Sequence, residues 1–273
     1  MSKNSNQDDK GTKAQFPSAL CGTGPTTTVL GYGALLSEES SRLTFPDLIN
    51  FRLVRVKGYR RIFRHPHLFL LKQGVVDPTT TLEIASLSAE KVDDDESSCS
   101  FIAAAFDIPS SLFTNQQRQA FIDREPEYYI TTVKYYDVND DTICLGDNGV
   151  ICLANEDSAV PKEISDIAKT AASESTLGDS KFQNTVWNWT EDSNLLPARI
   201  YLRHCLLSVQ KAAASEYPST SSNDINIAAE SFLNDTYLID RQTTLREYLN
   251  RPGVHDKIMN SRPPEHLVSR YSG

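Results

Sequence analysis

Six segments between residues 27 and 154 are rich in β-branched and aromatic residues, and this density of strands most constrains the fold. They read TTVLGYG, LVRVKGYRRIF, LEIASLSAE, FIAAAFDI, EYYITTVKYYD and TICLGDNGVICLA. Only short helical stretches separate them. The pattern predicts an α+β fold built on a mixed, mainly antiparallel sheet that closes into a β-barrel, with short helices and a C-terminal helical addition.

Turn and cap residues refine this prediction. Gly58 lies inside the second segment, as at a bulge or bend of one strand. The four residues 146–149 (GDNG) suggest a hairpin turn inside the last segment. Ser37 is a candidate helix cap and Asp240 a second one.

Two longer helices are also predicted. The first has Pro109 near its first turn. The second begins at Pro197, and its sequence, PARIYLRHCLLSVQKAAA, is apolar around most of the helix circumference. The inner side of the first helix is expected to consist of Leu112, Phe113, Ala120 and Phe121.

Composition divides the chain into four predicted parts. Residues 1–26 are polar and are expected to form a disordered arm, and residues 27–215 the barrel domain, with a polar insertion or linker at 155–194. Residues 216–250 are predicted as a helical extension and 251–273 as a tail with proline breaks.

Charge and cysteine content exclude several classes of protein. The chain has 27 basic and 36 acidic residues and a net charge of −9, which argues against a nonspecific nucleic-acid binder. No segment approaches the roughly 18–20 apolar residues that span a bilayer. The five cysteines are scattered without a CxxC pair, which favours a reducing, cytoplasmic location.

The GYGALL turn after the first strand is the first candidate site. A strand, a glycine turn and a helix place several backbone N–H groups around one concave point, where a carboxylate or phosphate can bind. The donors would be the backbone N–H groups of Tyr32, Gly33, Ala34 and Leu35. An ordinary tight turn between a strand and a helix would have the same sequence.

Glu125 in the segment IDREPEYY is the second candidate. It lies where a helix is predicted to end and a strand to begin, and Pro126 is expected to hold its backbone extended. Desolvation beside Tyr128 and Tyr129 would raise its pKa toward that of a general acid/base. A surface ion pair with Arg124 is the alternative, and Glu127 is a second candidate for the catalytic carboxylate.

Metal and cofactor chemistry have no clear motif in this chain. His65 and His67 flank a proline, and His204 and Cys205 are adjacent on a helix, so neither pair has the spacing of metal ligands. No phosphate loop, dinucleotide fingerprint or nucleophile elbow is present. We expect no metal and no cofactor.

The motifs occur in an order that resembles the γ-glutamylcyclotransferase-like superfamily, which includes the ChaC-type and AIG2-like proteins. The family's Tyr-Gly-Ser-Leu turn matches residues 32–35, and its Gly-Tyr-x-Arg-x-Phe strand matches residues 58–63. Its Leu-Asp-x-Arg-Glu or Glu-Gly segment matches residues 122–125, and its Pro-Ser-x-x-Tyr-Leu helix start matches residues 197–202. The resemblance spans about residues 27–210, and the later part looks like an uncharacterised plant and algal branch.

The resemblance implies an enzyme that cyclises a γ-glutamyl group to 5-oxoproline and releases an amine or amino acid. It implies Glu125 as the general acid/base, the amides of residues 32–35 as substrate donors, and Tyr201 as a substrate-orienting residue. Ala34, Pro126 and Ala198 depart from the family's serine, glycine and serine. The alternative is therefore a non-catalytic module that binds a small acidic ligand, or a protein partner through the C-terminal helices.

Overall fold

The computed structural model describes residues 16–92, 99–175, 182–214 and 222–272. Most of the predicted disordered arm lies outside the described residues, as does the acidic stretch 93–98, whose sequence (DDDESS) predicts a loop. The strands are β1 (Thr26–Gly31), β2 (Ile49–Lys57), β3 (Tyr59–Pro66), β4 (Glu83–Lys91), β5 (Ser100–Pro109), β6 (Tyr129–Tyr136), β7 (Cys144–Leu153), β8 (Leu196–Pro197) and β9 (Thr236–Tyr237). The helices are α1 (Glu38–Arg42), α2 (Leu68–Lys72), α3 (Asn115–Arg124), α4 (Lys162–Glu174), α5 (Arg199–Ala214), α6 (Ser222–Asn234), α7 (Leu245–Leu249) and α8 (Val254–Asn260).

Five strands close into a barrel in the order β1-β5-β2-β6-β7. Four of the pairings are antiparallel, and the barrel closes where β1 runs parallel to β7 at Val29 and Val150. The predicted α+β fold with a mixed, mainly antiparallel barrel is confirmed. The remaining strands form a second sheet in the order β8-β4-β3-β9.

Gly58 separates two strands instead of bending one, so the prediction of a single strand there was wrong. Its φ of 77° lies in the left-handed region that favours glycine, and its N–H donates to the Cys99 carbonyl (2.8 Å). The chain thus leaves the barrel after β2 and enters the second sheet as β3.

The predicted hairpin at residues 146–149 was also wrong, because β7 runs through these residues without a turn. The chain reverses earlier, where the Asp137 carboxylate accepts hydrogen bonds from the backbone N–H groups of Asn139 and Asp140. Gly146 and Gly149 instead make room for Tyr135: a Cβ on either would lie within 2.8 Å of its side chain.

Helix starts were predicted with mixed success. Ser37 caps α1 by accepting the Ser40 N–H, as predicted. Pro109 ends β5, and α3 begins only after Thr114, whose side chain accepts the Gln117 N–H. Because the helix starts later than predicted, its buried face also differs. Phe113 and Phe121 are buried, whereas Leu112 and Ala120 are exposed.

The cap of α7 is Thr244, which forms a reciprocal capping box with Glu247. Asp240 was predicted as this cap, but it lies four residues before it. Its carboxylate accepts the N–H groups of Gln242 and Thr243 in a turn. The N–H groups of this turn bind the Asp240 carboxylate that a helix cap would use. The sequence alone did not show whether this carboxylate stabilises the turn or caps the helix.

The segments outside the barrel pack onto it. Residues 155–194, predicted as a polar insertion or linker, contain α4 and bury Trp187 completely. Residues 251–272, part of the predicted tail, contain α8 and bury Tyr271. Among the described residues, no helix is long and apolar enough to cross a membrane.

A fully buried arginine joins α6 to the sheets. The Arg61 guanidinium donates to the Ile102 carbonyl (3.2 Å) and the Ser231 hydroxyl (3.0 Å), and it lies between the rings of Phe101 and Phe232. The Ser231 oxygen also accepts the Ile102 N–H (2.9 Å). The Ser231 hydroxyl on α6 thus binds the Arg61 side chain of β3 and the Ile102 backbone of β5.

Candidate functional site

The turn after β1 forms the wall of a small cavity. Gly33 precedes a short 3₁₀ helix, Ala34–Leu36, whose first N–H groups have no partner within the helix. No hydrogen bond joins the N–H of Gly33, Ala34 or Leu35 to another described residue. The cavity has a volume of about 50 Å³, and Glu125, Tyr128 and Tyr201 line its other side. We call it the smaller cavity.

Glycine is required at the start of this turn. A Cβ on Gly31 would lie 2.3 Å from the Leu35 Cβ and 2.8 Å from the Leu35 carbonyl oxygen. A Cβ on Gly33 would lie 2.9 Å from the Tyr201 hydroxyl oxygen. The chain therefore folds back tightly on itself, with Tyr201 of α5 directly against the turn.

Three tyrosines hold the smaller cavity in shape. The Tyr32 hydroxyl donates to the Cys152 carbonyl (2.5 Å), and the Tyr128 hydroxyl donates to the Leu87 carbonyl (2.7 Å). Burial raises the pKa of Tyr32, Tyr128 and Tyr201 well above 10, so all three are neutral phenols at physiological pH. Apart from Glu125, the wall of the smaller cavity is thus uncharged, with apolar side chains beside the phenols.

Glu125 caps the C-terminus of α3. Its N–H bonds to the carbonyls of Phe121 and Ile122, and its carbonyl accepts the Tyr128 N–H (3.2 Å). Its backbone has φ −124° and ψ 48°, so the prediction of an extended backbone was wrong. The tight turn over residues 125–128, rather than extension before Pro126, fixes the direction of the carboxylate.

The Glu125 carboxylate borders both the smaller cavity and a second, larger one. It accepts a hydrogen bond from the Arg124 Nε (3.0 Å), so the ion pair considered as an alternative exists, but in a cavity wall. Burial raises the pKa of Glu125 to about 7; the Arg124 charge opposes this and the Glu127 charge adds to it.

Glu127 lines the larger cavity only. Burial raises the pKa of its carboxyl to about 7. Its Oε1 lies 3.8 Å from the Nε2 of His65, whose own pKa burial holds well below 6.5, so that ring is neutral. Its carbonyl accepts hydrogen bonds from the Trp187 Nε1 (3.0 Å) and the Asn155 Nδ2 (3.3 Å). The segment 155–194 therefore positions the turn that carries both carboxylates.

The larger cavity has a volume of about 240 Å³ and is built from distant parts of the chain. α2, the 123–128 turn, α4, α5 and the residue pair 270–271 contribute to its wall. The Tyr271 hydroxyl lies 3.2 Å from the His67 Nε2 and closes one side. The sequence did not predict five of the residues in this cavity wall: His67, Lys72, His204, Arg270 and Tyr271. The one available signal was the basic–aromatic pair in the predicted tail.

The structure brings the predicted site residues into one region. Glu125, Ala34 and Tyr201 border both cavities, and Tyr32, Gly33 and Leu35 line the smaller one. Tyr129, expected beside Glu125, has 55% of its surface exposed and lines neither cavity. In the described parts of the chain, no three His, Cys, Asp or Glu residues are grouped to hold a metal ion.

No family model and no curated protein match the chain. The solved structures that this chain matches include an uncharacterised human protein, with 14% identity and a TM-score of 0.35 over 76% of this chain and 99% of that one. A gamma-glutamyl cyclotransferase has 13% identity and a TM-score of 0.35 over 75% and 98%. A yeast gamma-glutamyl cyclotransferase specific to glutathione has 13% identity and a TM-score of 0.38 over 76% and 96%.

Two of these structures carry the name of the family that the sequence motifs resemble.

Proposed function

We propose that the protein is an enzyme of the γ-glutamyl cyclotransferase type, which converts a γ-glutamyl compound into 5-oxoproline and a free amine or amino acid. One observation carries the proposal. A carboxyl group with a pKa of about 7, that of Glu125, stands where a cavity with backbone donors joins a larger cavity. A group that titrates near neutral pH can both accept and return a proton.

The reaction needs no nucleophile from the protein. The substrate's α-amine attacks its own γ-carbonyl carbon, a C–N bond forms in the five-membered ring, and the bond to the leaving nitrogen breaks. Because the nucleophile is tethered, the main task of the protein is to hold the conformer that cyclises. The two cavities suit this task, with the γ-glutamyl head in the smaller one and the leaving group in the larger.

Proton transfer is assigned to Glu125. Its carboxylate takes the proton that the attacking amine loses and returns it to the nitrogen that leaves, so the carboxylate is regenerated in each cycle. Arg124 holds the carboxylate in place through its Nε. Glu127, with a pKa also near 7, is the second carboxyl group in reach of the larger cavity.

Substrate binding is assigned to the turn after β1. The N–H groups of Gly33, Ala34 and Leu35 offer donors to the substrate's α-carboxylate or to the oxyanion that develops on the γ-carbonyl oxygen. The Tyr201 hydroxyl, which packs against Gly33, orients the head. No metal or cofactor is assigned a role. The five free thiols fit a cytoplasmic protein.

A second function, a non-catalytic module that binds a small acidic ligand or a protein partner, is favoured by one contact. The ion pair of Glu125 with Arg124 occupies one oxygen of the proposed base. Ala34, which lacks the family's hydroxyl, borders the same two cavities.

Release of 5-oxoproline by the wild type and Glu125→Gln separates the two functions. A panel of γ-glutamyl amino acids, glutathione and γ-glutamyl amines would serve as substrates. We expect release by the wild type and a loss of about 100-fold or more in Glu125→Gln, because a positioned acid/base contributes 10²–10⁴-fold. Glu265→Gln, an exposed carboxylate outside both cavities, is the matched control and should keep full activity.

The other outcomes are distinct. Release that survives Glu125→Gln would move the acid/base role to Glu127. No release by the wild type from any compound would contradict the enzyme and favour the binding module.

A further inference from the structure

We propose that Arg270 binds a carboxylate on the leaving group, so that the preferred substrates are γ-glutamyl amino acids and peptides rather than γ-glutamyl amines. The inference rests on the proposed function and adds to it a residue that selects the substrate. Arg270 lies in the predicted tail, outside the part of the chain that carries the family motifs.

The arrangement of the two cavities places Arg270 on the side of the leaving group. Glu125 borders both cavities, so the scissile amide lies beside it when the head occupies the smaller cavity. Arg270 lines the larger cavity and not the smaller one. A leaving group that extends from the amide nitrogen therefore enters the cavity that Arg270 lines.

The Arg270 guanidinium is held in place without being neutralised. It stacks on the Phe69 ring, with the guanidinium carbon 4.0 Å from the ring centroid. No carboxylate of another described residue forms an ion pair with it. One donor of this guanidinium is taken by the Tyr271 hydroxyl. A guanidinium has five N–H donors, so the others stay available for hydrogen bonds to a carboxylate.

Arg270 also acts on the interior of the larger cavity. Its charge lowers the pKa of Glu125, Glu127, His67 and His204. Groups on three separate parts of the wall thus feel one positive charge, and an anion in the cavity would feel it too.

The other charged groups of this cavity are less suited to the role. Arg124 already bonds to Glu125 and to the Thr44 hydroxyl (2.7 Å). Lys72 is exposed, and Asp123 is exposed and accepts a hydrogen bond from Gln119. Arg270 is the oriented cation that remains for a ligand among the described residues of this wall.

A matched pair of substrates tests the assignment. γ-Glutamyl-glycine and γ-glutamyl-glycinamide have the same scissile bond and nearly the same size, but only the first has a carboxylate on its leaving group. We expect the wild type to favour γ-glutamyl-glycine by about 10- to 100-fold in kcat/KM, the range of a hydrogen bond to a charged group. The difference should lie mainly in KM, because the contact is made in both the ground and transition states.

Arg270→Gln should remove this preference. We expect the ratio of kcat/KM between γ-glutamyl-glycine and γ-glutamyl-glycinamide to fall to about threefold or less. The accompanying rise of the Glu125 pKa acts on both substrates alike and cancels in this ratio. Arg270→Lys keeps the charge but not the fork and should retain part of the preference. Arg262→Gln, an exposed arginine of the same segment that lines neither cavity, should behave as the wild type.

Each other result has one meaning. Equal turnover of both substrates by the wild type would overturn the role of Arg270 and leave the proposed function in place. An equal loss on both substrates in Arg270→Gln would overturn it as well, since it would show a general effect on the site. No 5-oxoproline from any compound would remove the proposed function and this inference with it.

Discussion

The two cavities that meet at Glu125 differ in what their walls are made of. The smaller cavity is lined by one contiguous stretch, residues 30–35, and otherwise by neutral phenols, apolar side chains and Glu125. The larger cavity is lined by charged and apolar side chains from seven parts of the chain. A backbone wall tolerates side-chain substitution except where a glycine permits the turn, whereas a side-chain wall can change its specificity residue by residue. In the proposed function, recognition of the γ-glutamyl head is therefore the fixed part of this site and recognition of the leaving group the adjustable part.

The largest expected effect comes from a substitution of Gly31, in the turn that lines the smaller cavity. In Gly31→Ala the new methyl group would meet the backbone of Leu35, so the turn must move. We expect kcat/KM to fall by about 100-fold or more on every substrate alike, since a displacement of about 1 Å in a positioned site has this cost.

Gly22→Ala is the control, because its Cβ would have only an ordinary contact, 3.8 Å from the Thr27 hydroxyl oxygen. The comparison of the cavities would be wrong if Gly31→Ala affected γ-glutamyl-glycine and γ-glutamyl-glycinamide to clearly different extents.

A second prediction concerns the larger cavity and the effect of its Glu127 on the free energy of unfolding. The folded-state pKa of Glu127, about 7, lies above its ordinary value of 4.5. The native state therefore holds the proton more tightly, and this group makes the fold less stable as the pH rises from 4.5 to 7, with no further loss at higher pH. Glu127→Gln removes this cost above pH 7.

We expect urea denaturation to show Glu127→Gln about 3 kcal/mol more stable than the wild type at pH 8 and nearly equal to it at pH 4, at about 1.4 kcal/mol for each unit of pKa shift. Glu265→Gln, whose carboxylate is exposed, should show no such difference. Equal stability of the Glu127 variant and the wild type at pH 8 would mean that this carboxylate is well solvated.

The smallest effects are two opposite shifts of the pH profile. If ionised Glu125 is the base, kcat/KM falls as the pH drops through about 7. The Arg124 charge lowers the Glu125 pKa, so Arg124→Gln should move this limb to higher pH. The Glu127 charge raises it, so Glu127→Gln should move the limb to lower pH. Shifts in the same direction in both variants would exclude Glu125 as the group that titrates.

The smaller cavity could be predicted from sequence because its wall is one contiguous motif followed by a helix. Glu125 could be found for a similar reason, since a predicted helix ends at DRE and a proline follows it. The larger cavity could not, because His67, Ile164, His204 and Arg270 meet only through tertiary packing. The tryptophans of VWNWTEDS were visible in a polar stretch, but nothing local showed that Trp187 would hold the Glu127 carbonyl.

Two errors in the fold have one physical cause. A glycine in a strand was interpreted through its own backbone freedom alone. At Gly58 that freedom lets the chain change sheets, and at Gly146 and Gly149 the absent side chain makes room for Tyr135. Whether a glycine allows the chain to change direction or leaves room for a side chain depends on residues that are distant in the sequence.

Arg61 affects how this protein unfolds. Its pKa is lowered to about 10 by burial, so it still carries its charge at physiological pH. If α6 separated from the sheets, the guanidinium and the Ile102 amide would lose the Ser231 oxygen together, and the cation would lose the Phe232 ring. Such a partly opened state is costly, since the guanidinium would keep only the Ile102 carbonyl and the Phe101 ring and a strand amide would lack a partner. The barrel and the helices after it should therefore melt as one cooperative unit, although their sequences read as separate parts.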